Sequence, residues 1–481
     1  MKKLLSMLLV ISMVLSSMML AVGCSDDDTT GGTPACDHSY TDGVCDKCGD
    51  EDITKIEANL NGAALGSYCI VYSEDTDYAE RAAKYIQTQI KARAGKELSL
   101  RKASEDSGEG RAILVGDTAR ELSAELSADC ADLQFAICSD GEDIALEGEL
   151  FVIAAAAYYF IYEYIENGVD FDSVVPSEVQ ILEPIKEEAD NFFLMIGDGM
   201  GEVHTRLFDY LEVSAEGEAI SDGESEFYGY MLPYFGYSMT DSLSGTTDSA
   251  AAATAMATGY KTYNRYLGLD GDKVARKSLT ELAVELSMGA AIFTTDTLTG
   301  ATPGGFTVHA QDRGDSDEIR RQQTALTADF GVVIDGTYQQ YTKNIMKLIE
   351  REFSEALDKI ADEDGIFVMY EEAHIDKACS SLNINNAFLS LIRFNQIIGR
   401  VMEYAFYHPN TMVIITADHE TGDLIIDEEG RPLIQTEEHT SKNVPLFAYG
   451  VGAEVFDGKT IENTEIPKII SSLWGVSDFA K

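Results

Sequence analysis

Short apolar runs that alternate with helical stretches characterise the chain after residue 186. Four of these runs contain four or five consecutive apolar residues: Phe192–Ile196, Ala290–Phe293, Met412–Ile415 and Val444–Ala448. Runs of this length without polar alternation are typical of strands buried on both faces of a parallel sheet. The alanine-rich segment Ala250–Ala257 favours a helix between the first two runs. The pattern predicts an α/β domain over residues 186–481, with a largely parallel central sheet flanked by helices.

Residues 53–185 show the same alternation on a smaller scale. Two strands and two helices are predicted there: Ser67–Val71 and Ala112–Val115 as strands, and Tyr78–Ala94 and Phe151–Glu166 as helices. Gly95 and Gly168 follow the two helices, at positions where glycine commonly ends a helix. No combination of His, Asp and Glu in this region indicates chemistry, so the pattern predicts a small accessory α/β domain.

The amino terminus has the pattern of an export signal. Two lysines precede the apolar run Leu4–Val22, and the small residue Gly23 comes directly before Cys24. This arrangement resembles the lipobox of bacterial lipoproteins, which implies that residues 1–23 are a signal peptide and that Cys24 carries a lipid. An uncleaved transmembrane anchor is the alternative. The acidic and small stretch Ser25–Pro34 then predicts a flexible tether.

A short cysteine and histidine motif completes the segment 24–52. Cys36, His38, Cys45 and Cys48 offer three thiolates and one imidazole, a full ligand set for one tetrahedral Zn²⁺. A knuckle this small has too little core to fold without the metal. A disulfide from Cys36 to Cys45 or Cys48 is the alternative in an exported chain. In either case the motif predicts a structural element rather than a catalytic one.

The charge of the chain excludes one class of partner. The sequence contains 35 Lys and Arg residues against 83 Asp and Glu residues, which gives a formal net charge of −48. Such a surface repels nucleic acid backbones and anionic lipid, so nucleic acid recognition is excluded. The same carboxylates are hard oxygen ligands for divalent cations when they lie away from solvent.

Two segments after residue 186 carry reactive side chains at the ends of predicted elements. Asp198 follows the first strand, and the carboxyl ends of parallel strands are where α/β sheets bind ligands. Ser249 lies at the start of the alanine-rich helix, where unpaired amides and the helix dipole favour an alkoxide or a phosphate. Each segment taken alone also fits a plain turn or a helix cap.

These segments belong to a set of motifs that resembles a known family. Asp248–Thr254, followed by Gly259–Asn264, closely resembles the nucleophile segment of bacterial alkaline phosphatases, although Thr246 stands where the family usually has Val or Ile. The family's other motifs occur in the family's order: Gly197–Gly201, Ala301–Pro303 with Arg313, Val368–Glu371 with Ile375–Asp376, Thr416–His419, and His439–Thr440. The resemblance spans the carboxyl-terminal domain and implies the alkaline-phosphatase-like sandwich fold.

The resemblance also implies the roles of the site residues. Ser249 is the nucleophile, which becomes a phosphoserine that water hydrolyses, and Arg313 grips the phosphate. Two Zn²⁺ and one Mg²⁺ are the implied cofactors. Their implied ligands are Asp198, Asp418 and His419 for the first zinc, Asp376 and His439 for the second zinc, and Asp198, Thr302 and Glu371 for magnesium.

Two positions depart from the family's pattern. Ser380 stands where the second zinc of the family usually has a histidine, and Cys379 or His374 is a possible replacement ligand. A buried apolar role for Cys379 and a structural role for His374 are the alternatives. Gly300 stands two residues before Thr302, where the family commonly has Asp or His. That side chain tunes the magnesium water and the affinity for phosphate, so its absence predicts a change in both.

The predicted function is metal-dependent hydrolysis of phosphate monoesters, with release of inorganic phosphate outside the cytoplasm. The predicted location is the outer face of the bacterial cell membrane, with the lipid on Cys24 as the sole membrane contact. A homodimer is a possible assembly. A degenerate phosphatase that binds phosphate or phosphorylated glycans without efficient turnover is one alternative, which Ser380 and Gly300 motivate. A phosphodiesterase of the same superfamily is the other.

Overall fold

The computed structural model describes residues 40–41, 44–45, 59–127, 134–168, 175–178, 189–213, 219–221, 227–336, 343–360 and 365–481. The predicted signal peptide, Cys24 and the knuckle residues Cys36, His38 and Cys48 lie outside these ranges, and only the backbone of Cys45 lies within them. None of the helices in the described ranges is both long and apolar enough to cross a bilayer.

Contacts divide the chain into two compact units. The first takes residues up to Ala131, together with Phe135–Gly148 and Ala156–Pro176. The second takes Asp132–Gln134, Glu149–Ala155 and Ser177–Lys481. The predicted boundary between an accessory and a catalytic domain falls at residue 185, whereas the contacts assign Glu149–Ala155 to the second unit.

The first unit contains a six-stranded sheet with the order β10-β8-β9-β7-β5-β6. Two short hairpins precede the sheet: β1 (Tyr40–Thr41) with β2 (Val44–Cys45), and β3 (Asn59–Leu60) with β4 (Ala63–Ala64). The sheet strands are β5 (Tyr68–Tyr72), β6 (Leu100–Lys102), β7 (Arg111–Val115), β8 (Gln134–Ser139), β9 (Ile144–Gly148) and β10 (Val175–Glu178). The helical segments are α1 (Asp77–Ala94), α2 (Glu121–Ser127), a π-helix at Phe160–Glu166, and 3₁₀ turns at Leu65–Ser67 and Ala103–Glu105. The helix α3 (Ile153–Tyr159) is shared between the two units.

Local sequence signals account for the elements of this unit. The predicted strands correspond to β5 and β7, which are buried along nearly their whole length and pair in parallel. The predicted first helix is α1, and Gly95 ends it in the left-handed conformation with a φ of 62°. The predicted helix Phe151–Glu166 is divided into a 3₁₀ turn at Leu150–Val152, α3 and the π-helix, so the continuous apolar pattern did not reveal the change of helix type.

The second unit is built on an eight-stranded sheet with the order β16-β15-β17-β11-β18-β23-β14-β24. Its strands are β11 (Asn191–Gly197), β14 (Tyr234–Met239), β15 (Gly289–Thr294), β16 (Val333–Gly336), β17 (Ile366–Glu372), β18 (Thr411–Thr416), β23 (Val444–Gly450) and β24 (Thr460–Glu462). Three small hairpins lie outside this sheet: β12 (Leu211–Val213) with β13 (Ala219–Ser221), β19 (Glu420–Thr421) with β22 (His439–Thr440), and β20 (Ile425–Ile426) with β21 (Pro432–Leu433).

Helices connect these strands. They are α4 (Glu202–Thr205), α5 (Ser249–Thr258), α6 (Leu279–Glu285), α7 (Ala301–Thr307), α8 (Ser316–Phe330), α9 (Lys343–Asp358), α10 (His374–Cys379), α11 (Ile384–Tyr407) and α12 (Glu465–Leu473). Short 3₁₀ turns occur at Leu150–Val152, Arg206–Asp209, Tyr228–Met231 and Ala453–Phe456.

The central sheet is mixed and mostly parallel, as predicted. β11 pairs in parallel with β17 and β18, and β23 runs against both of its neighbours, β18 and β14. Alternate residues of β11 point to opposite faces: Phe192 joins a core that contains residues of α5, α6 and α12, while the ring of Phe193 packs on Tyr404 of α11. The predicted fold class, an α/β sandwich with helices on both faces of the sheet, is therefore confirmed.

Candidate active site

The candidate site lies at the carboxyl edge of three adjacent strands. Ile196 of β11 is in register with Glu371 of β17 and with Thr416 of β18. Asp198 and Asp418 each follow their strands by one or two residues, so the three carboxylates gather at one edge of the sheet. The three strands are apolar and buried, which fixes this register because a slip by one residue would turn every side chain to the other face.

Asp198, Asp418 and His419 form a buried cluster of metal-ligand type. Nε2 of His419 lies 3.5 Å from Oδ1 of Asp198 and 3.2 Å from Oδ2 of Asp418. Neither of these two carboxylate oxygens accepts a hydrogen bond from any described residue. Burial and the neighbouring carboxylates raise the pKa of Asp198 well above its usual range. Two buried carboxylates with unpaired oxygens around an imidazole fit a divalent cation, because its charge would offset this desolvation.

The loop after β11 brings a second cluster against the first. The backbone N–H of Asp376, in α10, donates to the carbonyl oxygen of Asp198 at 2.9 Å. Gly199 has a φ of 81°, and a Cβ there would lie 2.9 Å from Cα of Asp376, so this close approach requires glycine. Asp376, His419 and His439 have ligand atoms within 4.8 Å of one another, and His419 therefore belongs to both clusters.

The ligand atom of His439 is defined by its partners. Its Nδ1–H donates to the carbonyl oxygen of Thr247 at 2.9 Å, and its Nε2 lies 3.4 Å from Oδ1 of Asp376. The rings of His419 and His439 stack with centroids 3.6 Å apart. A backbone acceptor on one ring nitrogen fixes the tautomer that presents the other nitrogen to a metal.

Thr302 and Glu371 lie at the third predicted site. The Thr294 hydroxyl donates to Oε2 of Glu371. Burial raises the pKa of Glu371 to about 7. The hydroxyls of Thr294 and of the nearby Thr302 lower this pKa, but their effect is smaller than that of burial. The Thr302 hydroxyl is buried and makes no hydrogen bond of good geometry to a described residue. Together with Asp198 they form an all-oxygen set, which suits a hard cation such as Mg²⁺.

Ser249 is the first residue of α5, which the sequence also predicted. The side chain of Asp248 caps the helix by accepting the N–H of Ala251 at 3.0 Å. The Ser249 hydroxyl lies 3.3 Å from Nε2 of His419 and thus borders the metal-ligand clusters. α5 is buried along its whole length, and α7 packs closely on it at a glycine: a Cβ on Gly305 of α7 would lie 2.6 Å from Cβ of Ala253.

Arg313 is held at the amino end of α5 by the helix cap, Asp248. Its Nη1 donates to Oδ2 of Asp248 at 3.2 Å, and its backbone N–H donates to the carbonyl oxygen of Arg265. Its charge opposes the burial-driven rise in the pKa of Asp198. The guanidinium is partly exposed, so its remaining N–H groups are accessible to a bound oxyanion.

Comparison with known proteins identifies the family to which the chain belongs. The family model for alkaline phosphatase matches residues 189–349 and 346–426. The chain belongs to the alkaline phosphatase family. It is 26% identical over 338 residues to alkaline phosphatase 3 of Bacillus subtilis (strain 168), a match that covers 58% of this chain and 71% of the relative. The predicted family and enzyme class, a phosphatase, are thereby confirmed.

Two further relatives extend the comparison. Streptomycin-6-phosphate phosphatase of Streptomyces griseus is 21% identical over 393 residues, which cover 60% of this chain and 86% of that protein. The solved structure of the alkaline phosphatase from the Antarctic bacterium TAB5 aligns with a TM-score of 0.51 at 24% identity, over 61% of this chain and 99% of that structure. The structural likeness shows the alkaline phosphatase fold.

In this alkaline phosphatase, neither possible replacement for the histidine absent at Ser380 joins the ligand clusters among the described residues. Sγ of Cys379 lies 3.2 Å from Nε2 of the buried His204, and burial raises the pKa of this thiol. His374 donates its Nε2–H to the carbonyl oxygen of Thr295 at 3.0 Å. Both side chains therefore have structural partners. Within the part of the chain that the structure describes, the metal-ligand cluster of Asp376 contains His439 and the shared His419 and no further histidine, cysteine or carboxylate.

The structure adds a residue that motif reasoning missed. The Thr421 hydroxyl donates to Oδ1 of Asp376 at 2.6 Å and lies 3.2 Å from Nδ1 of His419. It thus contacts one ligand from each of two separate chain segments. Its position three residues after Asp418 is a local signal, but its contact with Asp376 depends on the tertiary fold.

Proposed function

We propose that this alkaline phosphatase hydrolyses phosphate monoesters through a phosphoserine at Ser249, using two Zn²⁺ and one Mg²⁺. The observation that carries the proposal is the position of the Ser249 hydroxyl. It lies at the amino end of a helix, 3.3 Å from Nε2 of His419, and the preceding residue, Asp248, binds the guanidinium of Arg313. The relative from Streptomyces griseus, whose name denotes a phosphatase of a phosphate monoester, supports this substrate class.

The residues of this chain divide the work of the first step. The Ser249 oxygen attacks phosphorus in line with the departing alkoxide, so that the P–O bond to serine forms as the ester bond breaks. Arg313 binds two phosphate oxygens with the N–H groups that Asp248 does not engage, and the amino end of α5 adds its dipole. When held by the carboxylate and histidine ligands, divalent cations would supply the Lewis acidity that lowers the pKa of the serine hydroxyl and offsets the developing charge. Water then attacks phosphorus, serine leaves, and inorganic phosphate is released.

The decisive test is turnover of p-nitrophenyl phosphate by the purified full chain. We expect hydrolysis with Zn²⁺ and Mg²⁺, its loss in EDTA, and its loss in Ser249→Ala with metal content unchanged. Bis(p-nitrophenyl) phosphate serves as the diester control. Turnover that survives Ser249→Ala, or a preference for the diester, would contradict the proposal.

A degenerate phosphatase is the second candidate, because among the described residues Ser380 and the structural contacts of Cys379 leave the Asp376 cluster without a further ligand. Weak metal binding there predicts that hydrolysis of the phosphoserine suffers more than its formation. Rapid quenching with ³²P-labelled p-nitrophenyl phosphate distinguishes the two candidates. Stable label on Ser249 without turnover identifies the degenerate enzyme, whereas label that turns over identifies the active one.

We also propose that the protein is exported and held at the outer face of the membrane by a lipid on Cys24. The support is the sequence pattern of residues 1–24. Labelling of producing cells with radioactive fatty acid tests the proposal. The unmodified chain should incorporate the label and be recovered in the membrane fraction, whereas Cys24→Ala should not incorporate the label. The homodimer that the family resemblance implies stays a prediction, which sedimentation of the purified chain would test.

A further inference from the structure

The carboxylate of Asp296 occupies the space in which a side chain at position 300 would lie. A Cβ at Gly300 would lie 2.8 Å from Oδ2 of Asp296 and 3.0 Å from the carbonyl oxygen of Thr297. The turn closes because the N–H of Gly300 donates to that same carbonyl oxygen at 2.8 Å. The loop therefore folds back and places a carboxylate from four residues earlier beside the start of α7, where Thr302 is located.

One threonine couples Asp296 to the candidate magnesium ligands. The hydroxyl of Thr294 accepts the backbone N–H of Asp296 at 2.8 Å and donates to the carboxylate of Glu371. Burial raises the pKa of Glu371, and the charge of Asp296 adds to this effect. Asp296 is thus both mechanically and electrostatically linked to the third site.

Asp296 also forms an ion pair with Lys377, a residue of α10. Nζ of Lys377 lies 2.5 Å from Oδ1 of Asp296, and both side chains are partly exposed, at 36% and 21% respectively. Lys377 directly follows Asp376 in α10. The ion pair therefore joins the loop before α7 to the helix that carries a ligand of the second cluster.

We propose that Asp296 replaces the side chain absent at Gly300 and sets the affinity of the cation held by Asp198, Thr302 and Glu371, with Lys377 as its counter-ion. The inference rests on the proposed cation site, but not on turnover. Asp296 is a positioning residue, because it acts on the cation through its charge and through the Thr294 link to Glu371.

The proposal predicts effects of opposite sign for the two partners. Asp296→Asn removes a negative charge near the cation and leaves the ammonium of Lys377, so the affinity should fall by about tenfold. Lys377→Met leaves the carboxylate without its counter-ion, so the affinity should rise by about threefold or more. A purely structural ion pair would instead weaken binding in both variants.

The experiment measures Mn²⁺, a paramagnetic substitute for Mg²⁺, by electron paramagnetic resonance titration of the zinc-loaded full chain. All variants are made in the Ser249→Ala background, so the result is independent of whether the enzyme turns over. The matched controls are Glu285→Gln and Lys277→Met, which break an exposed ion pair of 2.6 Å. This pair lies near the amino end of β15, whereas Thr294 and Asp296 lie at the carboxyl end of the same strand. Circular dichroism confirms that each variant is folded.

A relocation variant separates charge from local structure. Asp296→Ala combined with Gly300→Asp returns a carboxylate to the same space, and we expect it to recover most of the Mn²⁺ affinity lost in Asp296→Ala. Shifts of the same sign in Asp296→Asn and Lys377→Met, or control variants with equal effects, would overturn the inference. So would failure of the relocated carboxylate to restore binding in a folded variant.

Discussion

Removal of the Thr421 hydroxyl tests whether the two histidine-containing clusters are tuned by this residue. Thr421→Val keeps the shape of the side chain but removes the hydroxyl that donates to Oδ1 of Asp376 at 2.6 Å. Thr421 is fully buried, so water cannot easily replace the lost donor. A hydrogen bond to a buried carboxylate contributes about 2 kcal/mol. That free energy corresponds to a loss of about 30-fold in the affinity for the zinc ion proposed at Asp376.

Zinc affinity of the purified chain is measured by competition with a chromogenic chelator, and kcat and KM for p-nitrophenyl phosphate are measured at limiting and saturating Zn²⁺. We expect the activity of Thr421→Val to require about 30-fold more Zn²⁺. Thr421→Ser, which keeps the hydroxyl, should resemble the unmodified protein.

A second control removes a buried hydroxyl that donates to a backbone carbonyl within a helix rather than to a candidate metal ligand. The Thr258 hydroxyl donates to the carbonyl oxygen of Thr254 inside α5, so Thr258→Val should lower stability without changing zinc affinity. The reasoning is refuted if Thr421→Val changes zinc affinity by less than about threefold, or if Thr258→Val weakens zinc binding equally.

Three further predictions concern stability. Gly305→Ala should destabilise the second unit by about 2 kcal/mol, because the new Cβ would lie 2.6 Å from Cβ of Ala253. Denaturation followed by the fluorescence of the single tryptophan, Trp474, measures the loss of stability. An unchanged denaturation midpoint would contradict the prediction. Arg393→Met leaves the buried carboxylate of Glu372 without its ion-pair partner and should cost about 3–5 kcal/mol, while the double variant with Glu372→Gln should recover part of the loss; an additive double variant would count against this account. In the first unit, burial raises the pKa of Glu147 to about 8 from an ordinary value of 4.5. The unfolded chain then loses its proton at lower pH than the folded chain, so stability should fall as pH rises from about 4.5 to 8, and Glu147→Gln should remove this dependence in hydrogen exchange of β9; an unaltered pH dependence would refute it.

The predicted strands and helices of the second unit were recoverable from the sequence because their signals are local. The apolar runs became β11, β15, β18 and β23, extended by one or two residues at their ends. Asp248 and Gly259 mark the two ends of α5 through a side-chain cap and a left-handed glycine. The π-helix at Phe160–Glu166 was not recoverable, because its apolar pattern does not differ from that of an α-helix.

For the candidate site, the sequence supplied the residue types and their positions at element ends. The family resemblance implied that Asp198, Glu371 and Asp418 are metal ligands, and the structure gathers them at the carboxyl edge of three neighbouring strands. Whether Cys379 or His374 would serve as a ligand was left open by their spacing from Asp376. The contacts of these two side chains with His204 and Thr295 come from elements that are distant in sequence.

The sequence by itself determined the fold class, the family and the chemical type of each candidate ligand. Apolar periodicity, helix caps and each motif are set by residues near one another in the sequence, and the order of the motifs is read directly along the chain. Only the tertiary structure decided that His419 is shared by two clusters, that Thr421 contacts Asp376, and that Asp296 fills the space beside Gly300. The physical reason is that the first two contacts join segments far apart in the sequence, Asp198 with His419 and Asp376 with Thr421, whereas the third depends on how one loop folds back. Their geometry is set by strand register and by the path of loops, which the spacing of residues along the chain does not encode.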